Sequence, residues 1–401
     1  MPHSPLRAVE LFGGCGGLGL GLARSGFTSE AFLEWDTDAV LTVKHNAARK
    51  LEHIRKWNVV QADVREMKWT DLFGQLALVS GGPPCQPFGI GGLKKGAEDT
   101  RDMWPEAIRA VRETAPAAFL FENVRNLAGP RFRQYLEWIE LRLKHVGAIP
   151  APTMEISERQ ISMLKKTEVS YFTKCCVVNA ADFGAPQIRY RVLLAGVAHK
   201  LEVSPDRPQQ THSLEALLWD QWVTGDYWHR HSLKVPSDND IPLRHRATVE
   251  RLRSVMIAPP NKAWVTVRDA LADLGEPNGK ANHVHQAGAR AYPGHTGSSL
   301  DLPAKALKAG DHGVPGGENM MVRDDGSVRY FTLREAARLV GLLDEYEFCR
   351  SWTESMRCLG NAVPVQLGEA AGKWVRKMLK NQSSSSGIPP RPRALTGYLA
   401  A

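Results

Sequence analysis

Five short apolar runs punctuate the first 200 residues: Ala8–Phe12, Glu30–Trp35, Leu76–Ser80, Ala117–Glu122 and Arg191–Val197. Each is bounded by glycine, proline or charge and reads as a strand. Between them Thr37–Lys50, Asp102–Thr114 and Arg131–His145 carry apolar residues at helical spacing. Strand–helix alternation leaves a chain few ways to hide its apolar faces. The expected class is α/β, a mostly parallel sheet covered on both sides.

After Val197 the texture changes. From Pro205 to about Ser299 there is little clean periodicity and much Pro, Gly, His and Trp, so a second, irregular domain is expected. Two helical segments follow, Thr332–Leu342 and Pro364–Leu379. The expected division is 1–197 plus 356–380 for a first domain, 198–355 for a smaller one, and 381–401 for a Ser- and Pro-rich disordered tail. The 401 residues suffice for two cores.

The net charge of +8 suits a polyanionic partner, though a merely basic enzyme shows the same balance. Cys15, Cys85, Cys175, Cys176, Cys349 and Cys358 contain no C-x-x-C pair. Their scatter fits a reducing cytoplasm rather than a disulfide framework. The start of the chain lacks a signal-peptide pattern, and no apolar run reaches membrane-spanning length, so no membrane association is expected. His229-Arg230-His231 and His283-Val284-His285 lack the Cys or carboxylate that would complete a metal set, and no metal is expected.

The first strand runs into Gly13-Gly14-Cys15-Gly16-Gly17-Leu18-Gly19, in which Gly14, Gly16 and Gly19 fit G-x-G-x-x-G. Such a loop lets backbone approach a ligand at a helix N-terminus. The second strand ends at Glu34, where an acid can hold ribose hydroxyls. Trp35 beside it can stack on an adenine, and Asp63 can meet the adenine edge. An adenosine-containing cofactor is implied; NAD, FAD and S-adenosylmethionine all remain open at this point. Cys15 reads as a small buried residue.

Leu76–Ser80 delivers Gly82-Pro83-Pro84-Cys85-Gln86-Pro87. Prolines flanking a cysteine directly after a core strand fix the backbone and aim the thiol, whose thiolate is a strong nucleophile near neutral pH. Glu122, in Glu122-Asn123-Val124, lies at the carboxyl end of another strand, the edge where open α/β sheets bind ligands. There a carboxyl can hold or pass a proton. Arg189 and Arg191 alternate, and on a strand they share one face, suited to a phosphate or a base carbonyl.

In order, Phe12-Gly13-Gly14-Cys15-Gly16-Gly17, Glu34-Trp35-Asp36, Pro84-Cys85-Gln86, Glu122-Asn123-Val124, Gln187-x-Arg189-x-Arg191 and Gly360-Asn361-Ala362-Val363-Pro364 resemble the motif series of DNA cytosine-5 methyltransferases of the bacterial restriction–modification type. Arg329–Gly341 resembles the family's penultimate motif. The resemblance spans all but Lys200–Ser299 and the tail. Ala306 and Ala362 depart from the Thr or Ser usual before the penultimate motif and the Ser usual in the last.

The resemblance implies a Rossmann-like methyltransferase sheet with a smaller target-recognition domain. It implies S-adenosylmethionine held by Phe12, Gly13, Gly14, Gly16, Glu34, Trp35, Asp63, Pro84, Asn361 and Val363. It implies a covalent Cys85 adduct to a flipped cytosine, with Glu122, Arg189 and Arg191 as its catalytic companions. The implied partner is double-stranded DNA, met by a monomer in the cytoplasm at the nucleoid, with a restriction endonuclease as a system partner that it does not touch. Phe88–Asp102, after the nucleophile, is expected to be a lid. The alternative is a tRNA cytosine-5 methyltransferase with the same motifs, whose characteristic Cys-Phe-Thr is missing here.

Overall fold

The structure is a computed structural model that describes residues 5–84, 102–148, 157–309 and 319–380. Cys85, Phe88–Arg101 of the expected lid and the 381–401 tail lie outside the described residues. The main sheet has seven strands: β1 (Leu6–Leu11), β2 (Phe27–Glu34), β3 (Val59–Gln61), β4 (Leu78–Gly81), β5 (Ala118–Val124), β6 (Tyr171–Asn179) and β8 (Tyr190–Ala198). The two-residue strand β7 (Gln187–Ile188) stands apart from it. The order is β3-β2-β1-β4-β5-β8-β6. The first five run parallel, while β8 is antiparallel to both of its neighbours.

Alternation along the central strands sends side chains to opposite faces. Val9, Leu11, Val79, Phe119, Phe121, Val192 and Leu194 pack against Trp104, Ile108 and Val111 of α3 (Trp104–Thr114) and Leu136 and Ile139 of α4 (Arg133–Lys144). Ala8, Leu78, Leu120, Leu193 and Ala195 pack against Leu18 and Leu22 of α1 (Gly17–Arg24) and Leu367 and Trp374 of α12 (Val365–Lys380). Both faces are thus buried, which is why these strands read as continuous apolar runs.

Helix α1 reads GLGLGLAR, a poor helix by propensity. Packing overrides propensity: a Cβ on Gly17 would sit 2.2 Å from the Val363 carbonyl oxygen, and one on Gly21 2.4 Å from the Glu369 nitrogen. Glycine lets α12 lie directly on α1.

The segment after β8 is less irregular than its sequence implies. It holds α6 (Leu214–Trp219), α7 (Asp226–Arg230) and the 13-residue α8 (Leu243–Val255). Leu217, Tyr227, Trp228 and Trp264 form a small core with Ala181, and Leu218, Ile241, Val249 and Leu252 form another. It joins the stretch between β6 and β8 through Ala304↔Gln187 pairing, Thr211 N–H to the Asp182 carbonyl (3.0 Å) and Trp264 Nε1 to Asp182 Oδ1 (3.0 Å). Next, α10 (Leu333–Val340) shares a cluster with Cys15, Leu20 and Phe32, and α11 (Trp352–Asn361) leads into α12.

Candidate active site

The carboxyl ends of β1, β2, β4 and β5 and the start of β8 open onto one cavity of about 1120 Å³. Phe12, Gly13, Gly14, Glu34, Trp35, Asp63, Pro84, Glu122, Arg189, Arg191, Asn361 and Val363 all line it. Gly16 stands off this wall at φ 83°, where an added Cβ would meet the Trp57 ring at 2.9 Å.

On the glycine-loop side, β1 gives way to Phe12 at φ 56°, a left-handed conformation costly for a bulky residue. Gly14 follows at φ 56° with nothing within 4 Å of a would-be Cβ, so backbone itself faces the cavity. Glu34 fixes this turn. Its Oε2 accepts from Gly14 N (2.8 Å), and its Oε1 from Trp35 N (2.8 Å) and Asp36 N (2.7 Å). Burial pushes the Glu34 carboxyl up, against those three bonds. A carboxylate offers about four acceptor sites, so roughly one is left for a ligand. The Trp35 ring is 69% exposed beside it. Asp63 turns its carboxylate to Arg65, whose side chain holds it below its ordinary range. It caps the following turn rather than presenting both oxygens to the cavity.

Two features of this wall were not singled out from sequence. Glu10 on β1 is only 5% exposed and lines the cavity; burial drives its carboxyl up to about 8, opposed by a hydrogen bond from the Gly19 backbone. The second is a clamp on the glycine loop: Tyr346 Oη donates to the Cys15 carbonyl at 2.9 Å. Cys15 itself is buried, its thiol pushed up to about 12 by that burial and directed to the Cys358 carbonyl at 3.6 Å.

On the opposite side, the Gly81↔Phe121 register sets Gly82 beside Glu122, with a would-be Gly82 Cβ 3.3 Å from Glu122 Oε2. Asn123 Nδ2 donates to the Pro83 carbonyl at 3.0 Å, tying the approach to Cys85 onto β5. Glu122 is 7% exposed, and its Oε1 lies 2.5 Å from Arg191 Nε. Arg189 and Arg191 do not act as a pair. The chain breaks pairing between β7 and β8, leaving Arg189 in neither strand. Its guanidinium donates to the carbonyls of Leu307 (2.8 Å) and Gly360 (2.5 Å) and to Gln187 Oε1 (3.3 Å). One histidine of each pair is likewise engaged within the protein: His231 with Asp269 and His283 with Thr332.

A glycine-loop cavity at the carboxyl edge of such a sheet, faced by a buried Glu–Arg pair, defines a class. Residues 6–377 match the family of C-5 cytosine-specific DNA methylases, and the chain belongs to it: it is a DNA cytosine-5 methyltransferase. It is 27% identical to the Type II methyltransferase M.NgoMIV of Neisseria gonorrhoeae over 94% of this chain and 99% of that one. It is also 27% identical to M.AplI of Arthrospira platensis, over 95% and 89%. The Entamoeba histolytica methyltransferase EhMeth shares the fold, with a TM-score of 0.55 at 14% identity over 94% of this chain and 99% of that one.

Proposed function

We propose that this enzyme methylates carbon 5 of a cytosine flipped out of a specific double-stranded DNA site, through a covalent adduct on Cys85. The observation that carries this reading is the Glu122–Arg191 pair, packed against the Gly82–Pro84 segment that leads into Cys85. S-adenosylmethionine suits the remaining wall: open backbone at Gly14, one spare acceptor on Glu34, and the exposed Trp35 ring. Asn361 and Val363 close that wall from the chain's other end. When bound, this cofactor supplies an electrophilic methyl group.

The cytosine must leave the stack before either carbon is accessible, at a cost of a few kcal/mol. The Cys85 thiolate then adds to carbon 6, and the electrons of the 5,6 double bond move to carbon 5. Glu122 holds the N3 and amino edge, stabilising the protonated ring. Arg191 orients Glu122 and faces the base carbonyl. Once carbon 5 carries the methyl, loss of its proton re-forms the double bond and expels the thiolate. Splitting a hard substitution into two easier steps is the benefit of the covalent route. The Type II names of the relatives support the further reading that this chain is the modification half of a restriction–modification pair.

DNA carrying 5-fluorocytosine tests the adduct, because fluorine does not leave as a proton does. With S-adenosylmethionine present, the wild type should form a complex that survives denaturation, and Cys85→Ala should form none while still binding DNA. Substantial turnover by Cys85→Ala would sink the assignment.

A further inference from the structure

Val124, where β5 ends, pairs with Arg191 across the sheet. The next residue, Arg125, therefore stands over Tyr190: its guanidinium carbon lies 4.9 Å from the ring centroid. Both residues line the cavity, and Tyr190 is 43% exposed. The chemistry above uses neither. Of the other arginines lining the same cavity, Arg191 is neutralised by Glu122, Arg65 by Asp63 and Arg357 by Asp36 and Glu354, while the Arg189 guanidinium is taken up by the Leu307 and Gly360 carbonyls. Among the described residues, no carboxylate lies within ion-pair distance of Arg125.

An aromatic face fixes a guanidinium without cancelling its charge, so the cation is positioned yet still available to an anion. Arg125 also follows Glu122 by three residues, about 10 Å of extended chain. That is the order of the span from a base's pairing edge to its own phosphate. We propose that Arg125, held on Tyr190, takes the backbone phosphate beside the flipped cytidine and sets how deeply the base enters. This rests on the DNA reading above. Arg125 is a positioning residue: Glu122 on β5 holds the base edge, while Arg125, just past the end of the same strand, holds the phosphate of the same nucleotide.

The test uses the full chain and a duplex that the wild type methylates. Arg125→Ala should raise KM for DNA roughly tenfold, more than it lowers kcat, as expected for loss of one charge-assisted hydrogen bond. The slope of log binding constant against log salt should shrink by about 0.9, one released counterion. Arg125→Gln, which keeps a polar stem over the ring, should show the same loss of slope, whereas Arg125→Lys should retain it. Tyr190→Leu should raise KM alone but add little on top of Arg125→Ala, because the two act as one unit. A Gln variant with the wild-type salt slope overturns the proposal, even if its KM rises, since the contact is then not to a phosphate. Failure of the wild type to methylate any DNA would instead defeat the underlying reading.

Discussion

Glu10 and Glu34 place two carboxyls on one cavity wall, and their surroundings divide their roles. Glu34 accepts three backbone N–H bonds and shapes the glycine turn; Glu10 is buried against Gly19. Glu10 should leave a signature in stability against pH. Its carboxyl titrates near 8 in the folded chain against an ordinary value of 4.5, so the folded state binds more protons between those values. Stability from this group is then full below about pH 4.5 and lost as pH rises through about 8. Glu10→Gln, which keeps an acceptor for Gly19, should flatten the fall in melting temperature between about pH 6 and pH 9. An unchanged slope would mean that Glu10 is ionised in the fold. Glu34 was legible in sequence because it ends a strand at the right distance from a glycine loop. Glu10 was not, because no motif marks it: its place on the cavity wall comes from the packing of β1 against Gly19 of α1.

Between elements, the arginines of the Gln-x-Arg-x-Arg motif show what spacing conveys and what it omits. Alternation predicts a shared face; the break between β7 and β8 instead sends Arg189 to the Leu307 and Gly360 carbonyls. Arg189 therefore staples the last motif and the Ala306–Lys308 segment to the sheet edge. Arg189→Met should leave those carbonyls without their donor and destabilise the fold by roughly 2–4 kcal/mol. Arg191→Met should cost less stability and more kcat. Urea unfolding beside steady-state kinetics reads both; equal stability losses would remove the distinction. Other elements escaped for similar reasons. β6 is an edge strand whose Lys174 and Cys175 are only partly buried, so it lacks a continuous apolar run. In α8 only His245, Val249 and Leu252 are buried among arginines, too narrow a stripe for periodicity to reveal.

Across the whole molecule, the proposed division between chemistry and recognition has a physical basis. The segment after β8 carries its own aromatic and aliphatic clusters, while Val267, Ala304, Leu307 and Met321 anchor it in the core beside Cys15, Leu20 and Phe32. Phosphate contacts fix register without reading sequence, so discrimination must come from base-edge contacts worth roughly 1–3 kcal/mol each. We place them within residues 198–330. Exchanging that segment for a relative's should move the methylated site, read by bisulfite sequencing of host DNA, while Cys85 and Glu122 stay essential. An active chimera that keeps the original site would locate recognition elsewhere.

The contact of α12 on α1 has a consequence for synthesis. Arg376 donates to the Ser25 carbonyl across 351 positions of chain, and Gly17 through Leu22 are all buried in the finished fold. At translation rates of about 5–20 residues per second, α1 leaves the ribosome on the order of 20–70 s before its partner exists. For that interval a glycine-rich, greasy first helix has no cover and the cofactor wall has no far side. No nascent chain is an enzyme until α12 has emerged, so the newborn polypeptide cannot modify DNA while that helix is still inside the ribosome.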